Sequence, residues 1–205
     1  MNATVEPVAV HLVDDEAPVR DALEFLFTSH GLAARSYAGG KVFLDSLASG
    51  APLRGCILLD VRMEPLSGLQ VHDALVARGI QTPVIFLTGH GDIPMAVDAL
   101  KKGAFDFVEK PAGDVALVER VRDAMAADAA QQSRLAEGDV RGAKLAGLTA
   151  REHEVMLRVA AGKLNKVVAD EMNVSVRTVE VYRARVYAKL GVRSAAEVAT
   201  LLARA

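Results

Sequence analysis

Five polar residues stand at the ends of short apolar runs, and as a set they could do chemistry. The run Val8–Val13 ends in the pair Asp14 and Asp15, and "CILLD" (56–60) ends in Asp60. "PVIFLTG" (83–89) carries Thr88 at its end, and "AFDFVEK" (104–110) ends in Lys110. Short, β-branched, uncharged runs suit strands buried on both faces. Adjacent carboxylates repel unless something cationic lies between them. Taken by themselves, Asp14 and Asp15 also fit a helix N-terminus, where the dipole favours acids. Joined with Asp60 they suit a divalent cation, because Mg2+ prefers few carboxylates, several waters and a phosphate oxygen. Asp60 would then be the nucleophile, since a carboxylate can attack phosphorus to give an acyl phosphate. Lys110 and the metal would neutralise the transferring oxygens, and Thr88 would donate a hydrogen bond to one of them. An aspartyl phosphatase of the haloacid-dehalogenase type is the rival enzyme, but it places nucleophile and acid two apart on the first strand. Here the acids are adjacent and the nucleophile lies on the third.

A second set lies near the other end. Residues 1–147 carry a net charge of −6 and residues 148–205 a net of +4, inside a formal total of −2. Such asymmetry points to different partners for the two parts, nucleic acid for the basic one. Over 176–190 the helical period puts Val176, Val179, Tyr182, Val186 and Leu190 on a packing face. Arg177, Glu180, Val181, Ala184 and Arg185 fall towards the other face, where a DNA major groove could accept them. A four-helix bundle with a solvated charged face is the plain alternative.

The elements that must position these groups follow from pattern. Helical stretches at Val19–Phe27 (ended by Gly31), 42–47, Leu69–Ala77, Ile93–Lys102 and Asp114 to Ala130 alternate with five strands, the second near Leu32–Tyr37. Short crossovers of this kind predict an α/β doubly wound five-stranded parallel sheet. Its ligand site falls at the carboxyl ends of the strands, where strand order switches. From about Ala126 the composition turns to Ala, Gln, Gly and mixed charge without an apolar stripe, which reads as a flexible or helical linker. Beyond it the pattern is wholly helical. Thr149 with Glu152 and Ser194 with Glu197 form capping boxes, Ser175 is an N-cap, and Gly191 closes a long helix.

Bulk numbers bound the rest. At 205 residues and 51% apolar content, the chain suits one large or two small domains with aliphatic cores, Trp being absent. Cys56, the single cysteine, sits in an apolar run and reads as a small buried hydrophobe in a reducing cytosol. No stretch approaches membrane length and no signal-peptide pattern opens the chain, so a soluble cytoplasmic protein with no membrane partner is expected. The histidines (11, 30, 72, 90 and 153) lack metal-ligand spacing and read as structural.

The joint pattern of Asp14–Asp15, Asp60, Thr88 and Lys110–Pro111 resembles the receiver domain of bacterial two-component response regulators, over residues 5 to 125. "LTAREHEVM…NKVVADEMNVSVRTVEVYRARVYAKLGVRS" resembles the LuxR-type helix-turn-helix. Together they resemble the FixJ/NarL-type response regulators, nearer the FixJ branch because of "TGHGDIPMAV" (88–97) and "TVEVYRA" (178–184). The resemblance implies a flavodoxin-like receiver over 1–125, a linker over 126–145 and a small all-α DNA-binding domain over 146–205.

It further implies that Asp14, Asp15, Asp60 and the backbone carbonyl of Arg62 hold Mg2+, and that Asp60 is the phosphoacceptor. Thr88 and Phe107 would swing inward together, with Lys110–Pro111 a cis peptide and Gly89 leaving room for the phosphoryl group. For the second domain it implies a helix-turn-helix from Lys163 to Tyr182. Lys166, Arg177 and Thr178 would meet phosphates, Glu180, Val181 and Ala184 would face bases, and Arg185 lies on the same outward face. The implied partners are a sensor histidine kinase, double-stranded promoter DNA, RNA polymerase and, on phosphorylation, a second copy of the chain. Catalysis would be confined to phosphoryl transfer to Asp60 and its hydrolysis. Two departures stand out: Met63-Glu64-Pro65 where the family reads Met-Pro-Gly, and Tyr182 where many relatives have His. A regulator that ignores phosphorylation and uses its receiver as a dimerisation scaffold is the competing reading.

Overall fold

The computed structural model describes residues 7–49, 52–89, 93–110 and 113–203. The chain forms two compact units that divide in sequence between Gln131 and Gln132. In the first, β1 (Ala9–Val13), α1 (Ala17–Ser29), β2 (Ala34–Tyr37), α2 (Gly40–Ser46), β3 (Gly55–Asp60) and α3 (Gly68–Ala77) alternate. They are followed by β4 (Val84–Thr88), α4 (Ile93–Lys101), β5 (Asp106–Glu109) and the start of α5 (Asp114–Ala146). The strands form a parallel sheet in the order β2-β1-β3-β4-β5, as the alternating pattern predicts.

Every residue of β1, β3 and β4 is buried, because helices cover both faces of the sheet. Alternation along each strand divides the side chains between two cores. Val10, Leu12, Cys56, Leu58, Ile85, Leu87 and Val108 meet Phe27 and the Leu117–Ala124 stretch of α5 on one side. Val13, Ile57, Leu59, Val84 and Phe86 meet Phe43, Val71, Leu75 and Ala99 on the other. At the start of β3 the strands come very close: a Cβ on Gly55 would lie 2.1 Å from the Ala9 carbonyl oxygen, and its φ of +112° is one that glycine alone adopts readily. Cys56 is fully buried, and burial, helped by Asp128, pushes its thiol far above the ordinary value.

The segment read as a linker is helical. α5 runs unbroken for 33 residues through Ala146, in keeping with its alanine content. Asp128, inside that segment, is buried in the first unit, where its carboxylate accepts from Arg54 Nε at 2.9 Å and Gly55 N at 3.1 Å. Among the histidines, His11 is buried on Tyr37 Oη (3.1 Å) and the Arg54 carbonyl (3.2 Å), and His72 packs edge-on to Phe86. Both are structural. His90 lies outside the described residues.

In the second unit the end of α5 is followed by α6 (Ala150–Ala160), α7 (Asn165–Met172), α8 (Val176–Leu190) and α9 (Ala195–Ala203). Thr149 and Glu152 form the predicted capping box, and the buried Glu152 carboxylate also takes a 2.6 Å hydrogen bond from Lys189 Nζ. That hydrogen bond and the Thr149 amide hold the Glu152 carboxyl down at about 2, against the opposing effect of burial. The second box is half formed. Ser194 Oγ accepts from Glu197 N, but the Glu197 carboxylate reaches Arg193 N rather than the serine amide. No described helix is long and apolar enough to cross a membrane.

Candidate functional site

Strand order reverses at β1 and β3, whose neighbours on either side lie in opposite directions, so the carboxyl ends of these strands open a crevice. Two main-chain turns aim acids at it. Glu16 N donates to Asp14 Oδ1 at 2.8 Å, and Arg62 N donates to Asp60 Oδ2 at 2.8 Å. Each aspartate thus bonds the amide two residues ahead, as in an Asx turn. Their remaining oxygens meet one ammonium: Lys110 Nζ lies 2.9 Å from Asp14 Oδ2 and 2.7 Å from Asp60 Oδ1. Lys110 reaches them because its own amide donates to the Thr88 carbonyl at 2.6 Å, at the end of the β4–β5 ladder. Asp14, Asp60, Thr88 and Lys110, assigned from strand tips, are therefore neighbours around one crevice.

Burial is the largest influence on the Asp60 carboxyl and pushes it above the usual range, with Asp14 adding to the rise and Lys110 and Arg62 N opposing it. Burial also works to lower the Lys110 ammonium, but hydrogen bonds and charge from Asp60 and Asp14 outweigh it and hold the group above its ordinary value. Negative charge is thus in excess and concentrated where solvent is scarce.

The remaining candidates are placed less centrally. Asp15 is exposed, with Oδ2 3.4 Å from Glu64 N. Arg62 enters through its amide. Thr88 is buried, and a Cβ on Gly89 would meet nothing within 4 Å, so space remains beside it. Phe107 is half-buried with its ring 6.0 Å from that of Phe86. The Lys110–Pro111 peptide lies outside the described residues, whereas Glu64–Pro65, in the departing loop, is cis.

Among the described residues no three acidic, histidine or cysteine side chains gather at metal-ligand spacing. Mg2+ needs no such cage, since it keeps several waters and takes one or two carboxylates. Two buried carboxylates that already share one cation, with a third acid adjacent in sequence, fit that requirement in charge and donor type.

Gly68 was not singled out by spacing. A Cβ there would lie 2.1 Å from the Asp60 carbonyl oxygen, so α3 starts against the backbone of the central acid only because this residue has no side chain. Gly68 N donates to the Val61 carbonyl at 3.0 Å, and a Ser67–Gln70 capping box fixes the helix start. The sequence signal was the Ser67-Gly68-Leu69-Gln70 run directly after the Asp60 loop.

The second candidate surface is built on α7 and α8. Asn173 ends α7 in the left-handed region (φ 54°), and Ser175 caps α8 by accepting from Thr178 N at 3.0 Å. This tight turn packs Val168, Ala169 and Met172 of α7 against Val179 of α8, together with Val155 and Val159 of α6. Val179, Val186 and Leu190 are buried as expected and Tyr182 is half-buried. Val176 departs from the expected face and is 41% exposed, because the packing stripe begins one turn later. Lys166, Arg177, Glu180, Val181, Ala184 and Arg185 are all exposed, and Thr178 is partly so, its hydroxyl 2.7 Å from that of Ser175. No ion pair among the described residues engages Lys166, Arg177, Glu180 or Arg185.

A parallel sheet that gathers two acids and a lysine at its switch point, ahead of a helix-turn-helix unit, makes this a response regulator that controls transcription. Residues 10–122 match the response regulator receiver domain, and residues 146–202 match the bacterial regulatory proteins of the luxR family. The chain is 51% identical over 199 residues to the C4-dicarboxylate transport transcriptional regulatory protein DctR of Rhodobacter capsulatus, covering 94% of this chain and 98% of that protein. It is 44% identical to the transcriptional regulatory protein FixJ of Azorhizobium caulinodans, covering 94% and 90% respectively. Among solved structures it resembles the response regulator StyR, with TM-score 0.88 and 32% identity over 96% of this chain and 98% of that one. Full-length FixJ from B. japonicum matches with TM-score 0.60 and 38% identity, covering 98% of both chains. The chain belongs to the FixJ/NarL-type response regulators, a receiver domain followed by a LuxR-type DNA-binding domain.

Proposed function

We propose that Asp60 accepts a phosphoryl group from a phosphohistidine of a sensor kinase and that the modified receiver controls promoter binding by α8. The observation that carries this reading is the single ammonium of Lys110 shared by Asp14 and Asp60. An Asp60 carboxylate oxygen attacks phosphorus, the P–N bond breaks, and its electron pair returns to the imidazole of the donor. Arg62 N keeps the other carboxylate oxygen in place during attack, and Lys110 neutralises charge that develops on the transferring oxygens. Mg2+, held by Asp14, Asp15, Asp60 and the Arg62 carbonyl, would supply Lewis-acid neutralisation of the same oxygens. Thr88 donates to the new phosphoryl group, and Phe107 moves with it.

The same reading makes the 93–109 face the dimer surface, in keeping with the exposure of Val97, Leu100 and Phe105 there. A differential of a few kcal/mol between the two states suffices to shift such an equilibrium. Lys166, Arg177 and Thr178 contact phosphates, while Glu180, Val181, Ala184 and Arg185 face the groove. RNA polymerase is the downstream partner, with functional limits of 1–125 for the receiver and 146–205 for the DNA reader.

The test is labelling with acetyl phosphate and Mg2+. Wild type should gain one acid-stable, alkali-labile phosphoryl group, shift from monomer towards dimer in sedimentation, and bind DNA more tightly. Equal labelling of Asp60→Asn would refute the assignment of the acceptor, and an unchanged mass at full phosphorylation would refute the dimer step.

A further inference from the structure

The C-terminal end of α8 is held from outside its own helix. Gly191 caps it in the left-handed region (φ 72°), and the amides of Gly191 and Val192 both bond the Tyr187 carbonyl. The Leu190 carbonyl, among the acceptors left over at a helix end, is met by Lys144 Nζ of α5 at 3.0 Å. In return Lys189 of α8 donates to the Gly147 carbonyl just beyond α5 at 3.0 Å and to Glu152 of α6 at 2.6 Å. Two lysines thus cross between the same pair of helix ends, and Lys144 also places positive charge at the C-terminus of α8, where the helix dipole favours it. Beneath them Leu145 and Leu148 pack on Met156, Val186, Leu190 and Val198. A Cβ on Gly191 would stand 3.4 Å from Lys144 Nζ, so the ammonium sits directly over the cap.

We propose that Lys144 is a positioning residue for DNA recognition, with Lys189 as its counterpart, and that the last turn of α5 is part of the DNA-reading unit rather than tether. This rests on the reading that α8 enters the major groove. Arg185 lies about 7.5 Å along the helix axis from Leu190, at 1.5 Å per residue. A loosened last turn therefore changes the pitch at which Val181, Ala184 and Arg185 are presented. Contacts to base edges tolerate roughly half an ångström of misplacement, whereas a flexible lysine on a phosphate tolerates far more. Loss of Lys144 should accordingly erode sequence choice before it erodes general affinity.

The experiment uses the full chain and two probes, a duplex enriched by the wild type from a randomised pool and a shuffled duplex of equal composition. Lys144→Met should bind the enriched duplex about tenfold more weakly and the shuffled one within about twofold, with an unchanged salt slope. Amide exchange at Gly191 and Val192 should accelerate, and Lys144→Arg, which keeps a donor, should restore both readouts. Equal loss on both duplexes with the slope lowered by about one unit would make Lys144 a phosphate contact and overturn the proposal. Unchanged binding to the enriched duplex, or unchanged exchange, would overturn it as well. If the wild type enriches no duplex, the groove assignment of α8 is what fails, and exchange in Lys144→Met then decides whether the clamp exists.

Discussion

Replacing Gly68 with alanine places one methyl group between α3 and the backbone of Asp60. The added Cβ would lie 2.1 Å from the Asp60 carbonyl oxygen and 3.0 Å from its carbon, where ordinary contacts begin at 3.4 Å. About 1.3 Å of separation has to be created, and both sides are backbone, so no side chain can swing aside. Overpacking of this kind costs about 1–3 kcal/mol. At about 4 °C per kcal/mol, the receiver should melt some 4–12 °C lower. If the end of β3 gives way, the Asp60 carboxylate is displaced by about an ångström, a misplacement that can cost roughly 10²-fold in rate. Thermal melting and the time course of acetyl phosphate labelling read these two effects separately. A lowered melting point with normal labelling would mean that α3 moved instead of Asp60. A variant that melts and labels as the wild type does would refute the close-approach argument altogether.

Other perturbations follow from the same geometry. Asp128→Ala leaves the Arg54 guanidinium and the Gly55 amide without their carboxylate and should destabilise the receiver by about 2–4 kcal/mol, measurable by denaturant melting. Because the Glu152 carboxyl is held near 2 when folded against an ordinary 4.5, its stabilisation is complete above pH 4.5 and is lost as pH falls towards 2. Melting of residues 132–205 should therefore decline across that window, and less steeply in Glu152→Gln. Gly142→Ala, in open space within α5, should raise stability by about 1 kcal/mol, an opposite sign to the same change at Gly68. Lys110→Ala should impair phosphorylation-dependent dimerisation, followed by sedimentation, more than it impairs labelling, since its charge also anchors the modified state.

What could be read in advance was periodic. Buried parallel strands declare themselves as apolar runs, and a polar residue ending such a run is conspicuous, which is why Asp60, Thr88 and Lys110 could be assigned to one edge before any coordinates. Thr149 with Glu152 was equally visible, because a capping box is local. Asp128, Lys144 and Gly68 were not. Asp128 and Lys144 find their partners 74 and 46 residues away, and each stands in a stretch whose only pattern is helix-forming composition. Gly68 matters for the atoms it lacks, and a sequence does not display an approach between backbones. Val176 was misplaced because a periodic stripe does not declare where on a helix burial begins.

The two turns that fix Asp14 and Asp60 act through the main chain of Glu16 and Arg62, whose own side chains are exposed. Any of nineteen amino acids supplies that amide, so substitution at either position can remodel the rim of the crevice while leaving the carboxylates aimed as before. Proline alone is barred, for want of an N–H. The rim and the carboxylates behind it can therefore diverge independently in descendants of this sequence, even though the residues that shape each are two apart.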